Sequence, residues 1–154
     1  MKKIGKLLFA AVFCVLLITG CKNEEQKETV AAKLVAVFEE KIKEEKDIEK
    51  VANEISTNEN IEIAVGVMEA EEGYLDGFDG EISGFKKAYS IKPMIGSQPF
   101  VAYVFETDDA STLKDLLKEK ANKRWNICTE ADDLEISVVD NYVFLVMSPT
   151  NFDE

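Results

Sequence analysis

The stretch from Leu134 to Ser148 leaves the backbone little choice. "LEISVV" and "YVFLVMS" are β-branched and aromatic runs separated only by Asp140-Asn141. Two residues that tolerate positive φ, placed between two such runs, specify an antiparallel hairpin. "FVAYVFE", Phe100 to Glu106, is a third run of the same kind and predicts a further strand. The fold must therefore be organised around a sheet that is mainly antiparallel, and the rest of the chain has to cover it.

The covering segments carry a helical period. Val30, Leu34, Val37, Phe38 and Ile42 form one apolar stripe, and Ile48, Val51, Ala52 and Ile55 form a second. Between them "KEEKD" is fully charged, and Asp47 is placed to cap a new helix, so two helical segments are expected rather than one continuous helix. "TDDASTLKDLLKEKANKRW" is a third helix, with Leu113, Leu116, Leu117, Ala121 and Trp125 on one face. Its acids lead and its lysines trail, which suits the helix dipole. Ile61, Ile63, Val65 and Val67 alternate like a strand, and "FKKAYSI" is another. "STNEN" is a turn, "EAEEGYLDGFDGEISGF" is glycine-rich and irregular, and "KPMIGSQP" is a loop. The expected fold class is α+β, a mainly antiparallel sheet with two or three helices packed on one face.

The N-terminus carries a different signal. Lys2, Lys3 and Lys6 precede an unbroken apolar run from Leu7 to Ile18. As a helix that run spans about 18 Å, well short of a bilayer's hydrocarbon core of about 30 Å. A basic start, a short apolar stretch and small residues at its end describe a secretory leader. Ile18-Thr19-Gly20-Cys21 resembles the lipobox of bacterial lipoproteins, with Ile where Leu is commoner. That resemblance implies diacylglycerol on the Cys21 thiol and cleavage between Gly20 and Cys21. Two acyl chains suffice for stable anchoring, whereas one is marginal. The expected organisation is a leader at 1–20, a lipidated cysteine and polar tether at 21–29, one α+β domain at 30–150, and a tail at 151–154.

Charge and composition narrow the function. The precursor carries −12, and losing a leader with three lysines and no acid makes the remainder three units more negative. Such a surface repels nucleic acid and anionic lipid, so no nucleic-acid partner is expected and the acyl chains must hold the domain at the membrane. Cys14 leaves with the leader and Cys21 is acylated, so Cys128 has no partner for an internal disulfide. Histidine is absent, which excludes Ser-His-Asp and Cys-His catalysis and histidine-bearing zinc sites.

The candidate sites are few. Cys128 in "WNICTE" lacks a clear electropositive setting, because Glu130, Asp132 and Asp133 oppose Lys123 and Arg124, and it reads as a small buried hydrophobe. Asp76, Asp79 and Glu81 in "DGFDGE" offer oxygens to calcium, but the spacing does not fit an EF-hand, and a turn is the simpler reading. Tyr74, Phe78, Phe85 and Tyr89 surround the glycines. They read first as core fillers from an irregular segment, and second as anchors of a binding loop comprising Tyr74, Asp76, Phe78, Asp79 and Glu81. A glycosidase needs two facing carboxyls, and 30 acidic residues offer no principled choice of two. No catalytic residue, metal ligand or cofactor beyond the diacylglycerol on Cys21 is expected.

"YLDGFDGEISGFKKAY", "KPMIGSQPFVAYVFE" and "RWNICTEADD" resemble a family of small lipoproteins of Gram-positive bacteria, the domain of unknown function numbered four-three-five-eight. The likeness lies in wording and order over about half the chain, not in a catalytic motif. It implies a Gram-positive lipoprotein and assigns no functional residue. The expectation is a lipid-anchored protein on the extracytoplasmic face of the cell membrane. It would serve as a binding or interaction module for an envelope protein or wall component. The alternatives are a carboxylate-dependent envelope hydrolase and an inhibitory or structural lipoprotein.

Overall fold

Thr29 opens the first helix by accepting the Ala32 N–H on its hydroxyl at 3.2 Å. The computed structural model describes residues 28–96 and 98–152. The leader, the Gly20-Cys21 junction and most of the tether lie outside them. Helix α1 runs from Val30 to Glu44 and buries Val30, Leu34, Phe38 and Ile42 along a single stripe. It stops in the charged segment anticipated for a break. Asp47 then caps α2, Ile48–Ser56, by accepting the Glu49 N–H at 3.0 Å.

After α2 come β1 (Val65–Glu69), the short β2 (Gly73–Tyr74) and β3 (Glu81–Ile82), then β4 (Lys87–Pro93) and β5 (Val101–Glu106). Helix α3, Ala110–Lys120, leads into the hairpin of β6 (Asp133–Val139) and β7 (Tyr142–Ser148). The main sheet has five strands in the order β1-β4-β5-β7-β6, with every pair antiparallel, and β2 and β3 pair separately. The hairpin turns where the sequence placed it, with Val139 opposite Tyr142. Asp140 takes positive φ, at 53°.

The fold is α+β with an antiparallel sheet, and the helices divide between its faces. Ala102 and Val104 of β5 and Phe144 and Val146 of β7 pack with α1 and α2. Val101, Tyr103 and Phe105 of β5 and Val143, Leu145 and Met147 of β7 pack with Leu113 and Leu117 of α3. The two central strands are therefore buried on both faces, which is why they read as unbroken apolar runs. Two helices, α1 and α2, share one face as expected, and α3 covers the other.

Three boundaries also differ from expectation. Strand β1 begins at Val65, while Ile61 and Ile63 lie before it and pack into the α1/α2 core as part of the approach. Helix α3 ends at Lys120, short of Trp125. Ala121 instead bridges to Phe78, and the Asn122 N–H donates to the Gly77 carbonyl at 2.8 Å. Beyond the expected domain end at 150, Phe152 of the tail meets Phe100 with ring centroids 5.8 Å apart and joins the first core.

Two predictions arise here. Gly77 has φ +94°, and an added Cβ would lie 2.6 Å from Met147 Cε and 3.1 Å from Val101 Cγ1. Gly77→Ala is expected to cost about 2–4 kcal/mol by urea denaturation, from left-handed backbone strain plus overpacking. Gly84→Ala, with φ +88° and open space around the Cβ, should cost only about 1–2 kcal/mol. The second prediction concerns Asp109, the α3 cap, whose carboxylate accepts the Thr112 N–H at 3.0 Å and the Thr112 hydroxyl at 2.7 Å. Those bonds, the backbone one first, hold its pKa below the usual aspartate value. A depressed folded-state pKa gives stability that is fully present above the unfolded value and is lost as pH falls through the folded one. The Thr112 amide should therefore report a titration with a midpoint below that of ordinary aspartate, and the start of α3 should loosen only in that acid range.

Candidate functional site

On the α3 side of the sheet, the cover is incomplete. Phe78, Ile82 and α3 lie over β5 and β7, but β1 and β4 present Gly66, Met68, Ser90 and Lys92 to a groove. Met68 remains 54% exposed there. One chamber, of about 570 Å³, is bounded by Gly66, Met94, Phe100 and Trp125. A second, of about 510 Å³, is bounded by Glu69, Glu71, Glu72 and Tyr74. Met68, Asp76 and Lys92 border both.

The divide between the chambers joins the glycine-rich segment to strands β4 and β5. Lys92 Nζ meets Asp76 Oδ2 at 2.8 Å. The Asp76 carbonyl accepts the Tyr103 hydroxyl at 2.9 Å, which ties the glycine-rich segment to the central strand. Burial, and then the neighbouring Asp76 carboxylate, push the Tyr103 phenol far above its ordinary range, so it stays a neutral donor at any physiological pH. The Asp79 N–H donates to the Lys120 carbonyl at 2.8 Å, and Asn122 Nδ2 donates to Asp79 Oδ1 at 2.8 Å. The segment is thus stitched both to the sheet and to the end of α3.

This places the candidate residues of the glycine-rich segment individually. Tyr74, 78% exposed, and Asp76 reach the groove. Phe78 is buried, tilted against Tyr103 at 5.7 Å between centroids. Phe85 packs edge-on against Phe105 at 5.2 Å. Tyr89 is buried on the opposite face and donates its hydroxyl to Glu49 at 3.0 Å. Asp79 is engaged with Asn122, and Glu81 is exposed on β3 opposite Tyr74. Most of the aromatics therefore fill the core, and the acids do not converge. Among the described residues no three histidine, cysteine or acidic side chains are grouped so as to hold a metal ion.

Cys128 departs from expectation. It is exposed, not buried. With α3 ending at Lys120, the chain from Asn122 onward runs as surface turns, and the Thr129 N–H donates to the Asn126 carbonyl at 3.2 Å. Ile127 beside it is 97% exposed.

The residues that matter most to the groove were not singled out by sequence. Lys92 and Met94 sit in what reads as a loop, and Met68 reads as the polar-side partner of an alternating strand. Trp125 reads as the last position of a helix. The one available signal was the alternation Gly66, Met68 against Val65, Val67, which places a glycine and a methionine on the second face of an edge strand.

The fold and groove together define an antiparallel-sheet domain, covered by helices on both faces, with a partly apolar cleft over one edge. No family model, no curated protein and no solved structure matches the chain. Among the described residues no helix is long and apolar enough to cross a membrane.

Proposed function

We propose that this chain is a lipoprotein held at the extracytoplasmic face of the cell membrane by diacylglycerol on Cys21, and that its domain is a binding module rather than an enzyme. The address rests on the basic start, the apolar run and Ile18-Thr19-Gly20-Cys21. The observation that carries the binding role is the groove over β1 and β4, where Met68, Tyr74 and Met94 stay largely exposed around one ion pair. Apolar side chains left at the rim of a cleft are the ordinary mark of a contact surface.

Two of the groove acids serve to hold the loop: Asp76 pairs with Lys92, and Glu72 accepts the Gly84 N–H at 2.7 Å. Partners of the expected kind are an envelope protein or a wall component. Growth with a labelled fatty acid, followed by membrane fractionation, tests the address. Label on the chain and recovery with membranes are expected, and an unlabelled chain in the soluble fraction would overturn the proposal.

A further inference from the structure

The outer edge of β1, which pairs with no other described strand, borders the groove. The Met94 N–H donates to the Ala64 carbonyl and the Ala70 N–H to the Ala88 carbonyl, both at 2.9 Å. The register between them pairs Gly66 with Lys92 and Met68 with Ser90. Hydrogen-bonded pairs alternate along an antiparallel ladder, so Ala64, Gly66, Met68 and Ala70 turn their backbone groups toward β4. Val65, Val67 and Glu69 then turn theirs outward, where no described strand pairs with them. Their side chains alternate in the opposite sense: Val65 and Val67 pack into the α1/α2 core, while Gly66 and Met68 face the groove. A strand added to this edge would lay every second side chain beside Met68 and Met94.

Charge selects the occupant. From Val51 to Phe85 the chain carries acids throughout and no lysine or arginine. Glu69, Glu71 and Glu72 border the groove at the end of β1. Two copies of this edge would meet with the same acidic charge on both sides, which opposes self-pairing. A basic strand meets the opposite field, which speeds encounter and favours the correct partner.

Building on the binding role, we propose that β1 accepts an extended segment of another polypeptide, bearing lysine or arginine, as a sixth strand. Its main chain pairs with Val65, Val67 and Glu69, its apolar side chains enter the groove, and its cations lie near Glu69 and Glu71. This is strand addition, in which backbone bonds give affinity and alternate side chains give selectivity.

The test uses the full chain in a neutral detergent and an end-blocked octapeptide alternating valine and lysine. Amide NMR titration should move Val67 and Glu69 and give a dissociation constant below about 1 mM. An alternating valine–glutamate peptide should bind at least about tenfold more weakly. The valine–lysine peptide N-methylated at alternate residues on its pairing edge should lose binding, because its donors are gone. Gly66→Leu fills the groove from a position where a Cβ makes only ordinary contact, 3.7 Å from Met94 Cγ. It should weaken the peptide about tenfold with an unchanged melting temperature, since it plugs the groove rather than straining the fold.

Equal binding by the N-methylated peptide, an unaffected Gly66→Leu variant, or no binding by the valine–lysine peptide would each overturn the proposal. So would a doubled mass in sedimentation with Val67 and Glu69 amides protected, which would make a second copy the occupant. The result is separable from the membrane address. A labelled, membrane-bound chain that ignores the peptide loses only this edge site, and an unlabelled chain that binds it loses only the address.

Discussion

Phe144→Ala is expected to lower folding stability by about 3–5 kcal/mol, the cost of emptying a large buried aromatic site. Phe144 is fully buried on β7 and stacks on Phe38 of α1, with ring centroids 5.1 Å apart and planes 17° apart. That pair joins the first helix to the middle of the sheet. Its surroundings, including Ala102, Val104 and Val146 on the strands and Leu34 and Ile42 on the helix, belong to one closely packed cluster and cannot easily close a ring-sized void. A domain of this size typically has only about 5–15 kcal/mol in total. Among the described residues no disulfide limits the damage, because Cys128 is free. Urea denaturation followed by circular dichroism measures the loss. Tyr74→Ala, at a site 78% exposed, should change stability by less than about 0.5 kcal/mol. A loss below about 1 kcal/mol at Phe144 would show that the α1 face is not packed as described.

Cys21→Ala is expected to release the protein from the membrane while leaving the domain folded. The domain's own surface offers nothing to replace the anchor, since its net charge is strongly negative and anionic lipid repels it. Two acyl chains give stable attachment, and their loss should reduce the membrane-bound fraction by at least about a hundredfold. The substitution lies ahead of Thr29, where the first packed helix is capped, so the urea midpoint of the α+β domain should not move. Fatty-acid label persisting on the alanine variant would defeat the lipidation assignment, and a shifted midpoint would mean that the tether takes part in the fold.

Much of the architecture was legible because local chemistry and global packing agree. Asp140-Asn141 between two apolar runs gives the hairpin, Asp47 gives the break between α1 and α2, and Asp109 gives the start of α3. What failed was settled by contacts distant in sequence. Helix α3 could have continued to Trp125 on its own period, but the Gly77 carbonyl takes the Asn122 N–H and the Asp79 N–H takes the Lys120 carbonyl. That early stop leaves Cys128 on a surface turn instead of in the core.

The division of helices between two faces was readable in principle. "FVAYVFE" and "YVFLVMS" have no polar alternation, and a sheet with one solvated face would require it. The groove was not readable. It depends on Lys92 meeting Asp76 across sixteen positions of sequence, and on the cover over β5 and β7 ending before β1. The alternation at Gly66 and Met68 gives their face of the strand, but not that the neighbouring segment stops short of it.

On the proposed reading, a lipid on Cys21 holds a folded binding domain at the outer side of the membrane. Mass spectrometry of the N-terminal peptide from the native, membrane-purified protein tests it most directly. The expected peptide begins at Cys21 and carries the mass of a diacylglyceryl group on its sulfur. A peptide beginning at Met1, or an unmodified Cys21, would contradict the account.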